Sequence, residues 1–282
     1  MGVACLEGSW REPSTQRKLS YHLWKPPTSR ALLVLMHGFG EHSGRYQAFA
    51  AALAEQGICV AAPDLWGHGR SGGNRGDMVD VMPCVSDGLR LTAEVFLPES
   101  GQTHYALFGH SFGGLLVIRW ALERPPHLRG VVVQSPLIEV GFPIPGWKQV
   151  IASLLADCWP TCSLSMNLDS SALSHDASVV EAYRLDPLVH NSMSARAYRA
   201  ILQTRDVVFA RASECQTPTL LLCGAEDRII SVAAAQRWFE QLTCEKRMVM
   251  FPGCYHELHH EPVRQEVFQL VRDWVLESTE QP

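Results

Sequence analysis

The sequence predicts a fold of the α/β class: a mostly parallel central sheet with helices on both faces and an inserted helical cap. The first observation is an alternation of short apolar strands with helical stretches. Strands continuously rich in Val, Ile and Leu are typical of a parallel sheet buried on both faces. The second is a break in this alternation between residues 137 and 205, too long for a plain connection. A chain of 282 residues, 46% of them hydrophobic, can bury one large core of this kind.

The individual elements follow from the hydrophobic pattern. Apolar runs bounded by turn residues predict strands at residues 31–37, 58–64, 104–109, 130–135, 219–224 and 247–251. Apolar residues at helical spacing predict helices at residues 45–56, 83–97, 111–123, 232–242 and 262–276. Pro262 suits the first turn of the last helix, because that position needs no backbone N–H donor.

The break in the pattern divides the chain into a core, residues 1–136 and 206–282, and a cap, residues 137–205. The cap begins with an irregular apolar entry around Pro143 and Pro145. Apolar residues at helical spacing follow, so we expect a helix that lies over the sheet. The alternative is an ordinary extra core helix.

Charge and composition exclude several classes of protein. A net charge of −5 and a pI near 6.2 argue against a nucleic-acid partner and against a polybasic membrane anchor. Apolar runs such as residues 31–36 are far shorter than the roughly 20 residues that a membrane-spanning helix needs. Residues 1–18 contain no apolar stretch of signal-peptide length. We therefore expect a cytoplasmic protein.

The sequence GHSFG at residues 109–113 fits the pattern G-x-S-x-G. In the strand–turn–helix context predicted here, that pattern places a serine on a strained turn with its hydroxyl exposed. The helix that follows directs its N–H groups and positive dipole end towards a developing oxyanion. Ser111 is therefore the predicted nucleophile.

A nucleophilic serine needs a base and a group that orients the base. Asp227 follows the strand at residues 219–224, and His256 follows the strand at residues 247–251. Parallel strands bring both to the sheet edge that carries Ser111, in the chain order serine, acid, histidine that this elbow requires. The rival acid is Glu226, and the rival bases are His259 and His260.

The sequence HGFG at residues 37–40 ends the first predicted strand and is expected to direct a backbone N–H into the same cleft. With the N–H of Phe112, the N–H of Phe39 would form an oxyanion hole with two donors. The alternative is a purely structural turn.

Two further motifs are set aside. Residues 67–72 fit G-x-G-x-x-G, but a loop follows them where a dinucleotide site would need a helix. Residues 256–260 fit H-E-x-x-H, but Pro252 and Pro262 leave little room for the helix that a zinc site needs. We therefore predict neither a cofactor nor a metal.

Several stretches of the sequence resemble the monoacylglycerol lipases of the serine α/β-hydrolase fold. They are HGFGEHSGRY at 37–46, GHGRS at 67–71, GHSFGG at 109–114 and YHELH at 255–259. Cap segments at residues 170–174 and 183–188 are also similar, and the resemblance runs from about residue 20 to residue 275. GEHSGRY is its most specific part, because generic hydrolases of this fold lack it.

The resemblance implies hydrolysis of monoacylglycerols to glycerol and a free fatty acid. It also implies an apolar acyl tunnel under a mobile cap that touches membranes or micelles. A polar pocket recognises the glycerol head in such enzymes, and the matching positions here are Glu41, Arg45, Tyr183 and His259. The alternative for Glu41 and Arg45 is an ordinary surface ion pair four residues apart.

Two residues depart from the family pattern. Phe39 is bulky where the family often has a small residue, and Phe112 stands where Met or Gln is common. Bulk beside the oxyanion hole would change which acyl chains fit.

Two other functions stay open at this point. One is a broad-specificity carboxylesterase or lysophospholipase. The other is a non-catalytic ligand receptor of the same fold, although such proteins usually lose a member of the triad.

Residues 142–159 carry two tryptophans among aliphatic side chains, which predicts a surface for docking to lipid. The alternative is that these side chains pack inward and line the acyl tunnel.

Overall fold

The computed structural model describes residues 2–166 and 168–280. Its centre is an eight-stranded sheet in the order β1-β2-β4-β3-β5-β6-β9-β10. These strands are β1 Ala4–Arg11, β2 Lys18–Lys25, β3 Ala31–Met36, β4 Ile58–Pro63, β5 Tyr105–His110, β6 Leu128–Gln134, β9 Thr219–Gly224 and β10 Lys246–Phe251. A two-stranded sheet is formed by β7 Ser163–Ser165 and β8 Ser192–Ser194. The helices are α1 Gln47–Glu55, α2 Met82–Leu91, α3 Leu97–Ser100, α4 Phe112–Ala121, α5 Gly146–Cys158, α6 Ala177–Leu185, α7 Ala195–Ala210, α8 Val232–Glu240 and α9 Arg264–Glu280.

The six strands from β3 to β6 and from β9 to β10 pair in parallel. The central strands β3, β4, β5 and β9 are buried along their whole length. Separate apolar clusters cover the two faces of the sheet, with α4 in one cluster and α9 in the other. The predicted fold class, a mostly parallel sheet between helices, is confirmed.

The sequence pattern did not predict β1 and β2, which form an antiparallel hairpin at one edge of the sheet. β1 is exposed along most of its length, and β2 mixes buried with half-buried positions. Neither strand has the continuous apolar run that marks the parallel strands.

Two predicted helices differ in their bounds. The helix expected at residues 83–97 is interrupted by a π-helical turn at Thr92–Phe96, after which α3 continues to Ser100. The last helix begins at Arg264 and runs to Glu280, beyond the predicted end at 276.

The segment between β6 and β9 contains α5, α6, α7 and the small sheet. Its inner part is held to the loops of the large sheet, because the His190 N–H donates to the Gly40 carbonyl at 2.8 Å and the Ser194 N–H to the Gly76 carbonyl at 3.0 Å. Arg196 also pairs with Asp77, with Nε 2.7 Å from Oδ1. The predicted cap boundary at residue 205 falls inside α7, and the division into core and cap stays a prediction.

Helix α5 presents an apolar stripe to solvent. Trp147, Val150, Ile151 and Leu154 are 47–63% exposed, and their spacing places them on one face of the helix. Ala152 and Ala156 form the buried side, which packs on α7. In the described part of the chain, no helix is both long and apolar enough to cross a bilayer.

Candidate active site

Ser111 lies between the end of β5 and the start of α4. Its backbone angles, φ 53° and ψ −114°, are ones that residues other than glycine rarely adopt. The flanking glycines are sterically required. A Cβ on Gly109 would lie 2.2 Å from the Gly113 carbonyl oxygen, and one on Gly113 would lie 1.9 Å from that of Met36. The local strain and close packing are those of a nucleophile elbow.

Asp227 and His256 pair at the same edge of the sheet, just after β9 and β10. The His256 Nδ1 and Asp227 Oδ2 atoms are 2.7 Å apart, and both side chains are almost completely buried. The other carboxylate oxygen accepts the N–H groups of Ile229 and Ile230 at 2.8 and 3.0 Å. The neighbouring Glu226 is exposed, so the geometry favours Asp227 as the acid.

Opposing effects set the charge states of this pair. Burial lowers the pKa of His256, but the Asp227 carboxylate outweighs burial, so the pKa lies above the ordinary value. Burial raises the pKa of Asp227, but His256 and the two backbone donors more than offset it, so the pKa is lowered. The pair therefore stabilises an imidazolium, the species that forms when a histidine takes a proton from serine.

Ser111 is next to this pair without a hydrogen bond to it. The ring of His110, its neighbour in sequence, lies 4.6 Å from the ring of His256. In the described part of the chain, Ser111 Oγ makes no hydrogen bond with His256. Catalytic hydrogen bonds are often long before substrate binds, so this geometry is compatible with a serine nucleophile.

The turn after β3 faces the elbow. A Cβ on Gly38 would lie 3.4 Å from the Ser111 Cβ, and the rings of Phe39 and Phe112 meet edge to face at 5.5 Å. The backbone N–H groups of Phe39 and Phe112 donate to no other group among the described residues. His37 supports the turn, because its Nε2 accepts the Leu65 N–H at 2.9 Å.

Glu41 and Arg45 form a buried cluster, which differs from the alternative of a surface pair. Arg45 pairs with Glu41 and also with Glu257, where Nη1 and Nη2 lie 2.7 and 2.8 Å from Oε1 and Oε2. The Tyr183 ring of α6 lies 4.7 Å from the Arg45 guanidinium carbon. The structure therefore brings three of the predicted head-group residues together, but the charged groups of Glu41 and Arg45 face other protein groups.

His259 is buried, and its ring stacks on the ring of Tyr46 with the two ring centres 4.6 Å apart. Its Nδ1 is 2.8 Å from Gln134 Nε2, which also contacts His110 Nδ1 at 2.9 Å. Burial and the neighbouring His260 and His110 hold the pKa of His259 well below its ordinary value. Its Nε2 has no hydrogen-bond partner in the described part of the chain.

The H-E-x-x-H residues do not fit a zinc site. Glu257, His259 and His260 hold potential ligand atoms within 4.8 Å of one another. However, Glu257 is engaged by Arg45, and His260 lies between Glu257 Oε2 at 2.7 Å and the Arg45 carbonyl at 3.1 Å. His256 is paired with Asp227, and the short helical turn Leu258–His260 does not align the two histidines.

The glycine-rich loop at residues 67–72 also lacks the geometry of a dinucleotide site, because the next helix, α2, begins only at Met82. Its residues instead form hydrogen bonds with Asp64, directly after β4. The Ser71 hydroxyl donates to the Asp64 carbonyl at 2.6 Å, and the Arg70 N–H donates to the Asp64 carboxylate at 2.8 Å.

Sequence reasoning did not identify Glu257 and Gln134 as site residues. Glu257 was visible only as part of the H-E-x-x-H pattern, and Gln134 closes an apolar strand without any motif. Their roles depend on contacts with Arg45 and His259, more than 100 residues away in sequence, which no local pattern reveals.

Together, the elbow, the acid–base pair and the parallel sheet define an α/β-hydrolase. A family model described as serine aminopeptidase, S33, matches residues 27–263, and the chain belongs to that family.

The chain is also similar to individual proteins. It is 31% identical over 262 residues to a monoacylglycerol lipase of Mycolicibacterium smegmatis, covering 92% of this chain and 93% of that protein. The crystal structure of a monoacylglycerol lipase of Paleococcus ferrophilus superposes with a TM-score of 0.82 at 31% identity, covering 99% of this chain and all of that one. An uncharacterised abhydrolase domain-containing protein of Dictyostelium discoideum is 33% identical over 271 residues, 95% of this chain but 28% of that longer protein. The predicted resemblance to monoacylglycerol lipases is confirmed.

Proposed function

We propose that the protein is a carboxylic ester hydrolase that cleaves monoacylglycerols to glycerol and a free fatty acid through an acyl-enzyme on Ser111. The observation that carries this proposal is the strained Ser111 at the start of α4, beside the buried Asp227–His256 pair. The similarity to monoacylglycerol lipases along nearly the whole chain supports the substrate class.

The reaction has two steps. His256 takes the proton of Ser111 as the serine oxygen attacks the ester carbonyl, and the N–H groups of Phe39 and Phe112 stabilise the oxyanion. His256 then donates that proton to the departing glycerol oxygen. In the second step, His256 deprotonates a water molecule, which attacks the carbonyl of the acyl-enzyme. The bond to Ser111 Oγ then breaks, His256 returns the proton to that oxygen, and the fatty acid leaves. Asp227 holds the imidazole in the required tautomer throughout.

The acyl side of the site is apolar. Phe39 and Phe112 belong to the larger apolar cluster of the core, and Leu137, Met166 and Met193 pack against it as partly buried side chains. We propose that the acyl chain binds among these residues, with the two phenylalanines next to the reacting carbonyl.

For the glycerol head, we propose that Tyr183 and His259 supply the direct contacts. The His259 Nε2 is buried and has no protein hydrogen-bond partner in the described ranges, so a substrate hydroxyl that reaches it would satisfy it. The Tyr183 ring lies 4.7 Å from the Arg45 guanidinium carbon, beside the same cluster. Glu41 and Arg45, which the family resemblance also places in this pocket, would act by holding Tyr183 and the surrounding loops.

We further propose that residues 137–205 act as a cap and that its helix α5 docks on lipid. Phe142 and Trp159, which precede and follow α5 in the chain, are also exposed, by 48% and 63%. Tryptophan beside aliphatic side chains suits a lipid–water interface. The stripe is accessible to a membrane or micelle that carries the substrate.

A cytoplasmic location agrees with the cysteines, all nine of which are free. Free thiols in this number are typical of a reducing compartment.

A substrate panel tests the proposed function. We expect the highest kcat/KM on a long-chain monoacylglycerol, and lower values on a lysophospholipid of the same acyl chain and on a short soluble ester. A preference for lysophospholipid, or equal rates on all esters, would instead indicate a lysophospholipase or a broad carboxylesterase. Failure of a fluorophosphonate to label Ser111, without turnover of any ester, would indicate a non-catalytic receptor.

A further inference from the structure

The Glu41 carboxylate forms hydrogen bonds with the turn that carries Phe39. Glu41 is 3% exposed, and its Oε1 accepts the Gly38 N–H at 2.6 Å and the Tyr46 hydroxyl at 2.7 Å. Its Oε2 accepts from Arg45. Burial raises the pKa of Glu41, but Arg45 together with His110 and His37 more than offsets it, so the pKa is lowered and the acceptor is a carboxylate at neutral pH.

The cluster continues from this turn to the histidine loop. Arg45 binds Glu257 through two hydrogen bonds of 2.7 and 2.8 Å, and Glu257 directly follows His256 in the chain. Planar, bidentate pairs of this kind fix orientation as well as distance. A line of buried charges therefore joins the Phe39 turn to the loop that carries His256.

We propose that Glu41 is a positioning residue that holds the Gly38–Phe39 backbone against Ser111 and so aligns the oxyanion hole. The inference rests on the proposed function, because it presupposes acyl transfer at Ser111. An oxyanion donor is effective when it is fixed before the reaction begins. The packing leaves little tolerance here, since a Cβ on Gly38 would lie 2.7 Å from Glu41 Oε1 and 3.4 Å from the Ser111 Cβ.

This role differs from direct recognition of glycerol, and the two can be separated by substrate. A misaligned oxyanion hole slows the chemical step for every ester. A lost head-group contact weakens binding only of substrates that carry the diol.

The test measures kcat and KM of Glu41→Gln and Glu41→Ala on monooleoylglycerol and on p-nitrophenyl butyrate, which has no glycerol. We expect Glu41→Ala to lose about 10- to 100-fold in kcat on both substrates, because removal of a whole oxyanion donor costs about 10²- to 10³-fold. KM should change little. Glu41→Gln should lose less, since its amide oxygen still accepts the Gly38 N–H.

The matched control is Asp87→Asn. Asp87 is another buried carboxylate, paired with Arg17 at 2.8 and 2.6 Å on α2, and it takes no part in the Glu41–Arg45–Glu257 cluster. The Asp87→Asn variant should keep the wild-type kcat. A loss of kcat in the Glu41 variants would then come from the altered Phe39 turn and not from the loss of a buried ion pair in general.

Losses confined to monooleoylglycerol and to KM would overturn the proposal in favour of head-group binding, and unchanged kcat in Glu41→Ala would overturn it outright. If thermal unfolding shows that the Glu41 variants do not fold, Tyr46→Phe decides, because it removes one donor to Glu41 and leaves the ion pairs. An unchanged kcat in that variant would also overturn the proposal. Failure of the proposed function is distinguishable, because Ser111→Ala would then retain esterase activity whatever the Glu41 variants do.

Discussion

Asp227 and Glu226 are neighbours in sequence but differ in the burial of their side chains. Asp227 is enclosed, accepts two backbone N–H groups and contacts His256, whereas Glu226 is exposed. The sequence predicts Asp227 as the acid because it follows the strand at residues 219–224, with Glu226 as the rival. It could not supply the backbone donors that hold the carboxylate, because these depend on the conformation of the loop after β9.

Asp227→Asn should lower kcat on a monoacylglycerol by about 10⁴-fold, because an amide favours the wrong histidine tautomer. Glu226→Gln should stay close to the wild-type rate, and it serves as the matched control. Steady-state kinetics of both purified variants make the measurement. A greater loss in Glu226→Gln than in Asp227→Asn would mean that the acid is assigned wrongly.

The His256 charge state predicts the pH dependence of the reaction. The base must be neutral to accept the serine proton, so kcat/KM should rise with pH and fall as His256 is protonated. Because Asp227 outweighs burial and raises the pKa of His256, the midpoint should lie above the reference value of about 6.5. Burial lowers the pKa of His110 to about 3, so that ring stays neutral in this range.

A pH profile of kcat/KM on a soluble ester measures this midpoint. Activity should also survive chelation with EDTA. A midpoint well below 6.5, or loss of activity in EDTA that zinc restores, would contradict the assignment of His256 as the base.

Among the strands and helices, the sequence predicts best the strands that consist of one continuous apolar run. The parallel strands β3, β4, β5 and β9 were found within a residue or two at each end, because each is buried on both faces. The β1–β2 hairpin was missed because its side chains are largely exposed. The apolar spacing in residues 142–159 could not by itself distinguish a face that is buried from one that is exposed.

We expect helix α5 to bind lipid through its exposed apolar stripe. Replacing Ile151 and Leu154 with Ser should weaken binding to phosphatidylcholine vesicles by about tenfold or more, since both side chains are roughly half-exposed and available to lipid. Hydrolysis of monooleoylglycerol in micelles should fall with it, while a short soluble ester is turned over normally. Added salt should have little effect.

Leu6→Ser on β1 is the control, because Leu6 is 45% exposed at the far edge of the sheet. Equal losses on micelles and on the soluble ester, or unchanged vesicle binding, would mean that the α5 stripe has a structural role.

In the whole molecule, the site is assembled from distant parts of one chain. The turn after β3, the elbow after β5, and the loops after β9 and β10 meet at the carboxyl edge of the sheet, where α/β folds place their ligands. Sequence motifs place Ser111, Asp227 and His256 at this edge because each follows a strong strand, and the structure brings Asp227 and His256 into contact there. The buried charges that join these loops were not predictable, since Glu41, Arg45 and Glu257 pair across the fold.

The most direct test is the rate of fatty-acid release from monooleoylglycerol by the wild-type protein and by Ser111→Ala. We expect clear turnover by the wild type and a loss of about 10⁴-fold or more in the variant, with unchanged thermal unfolding, because triad members act as a unit. Turnover by Ser111→Ala near the wild-type rate would contradict the assignment of the nucleophile and, with it, the proposed mechanism.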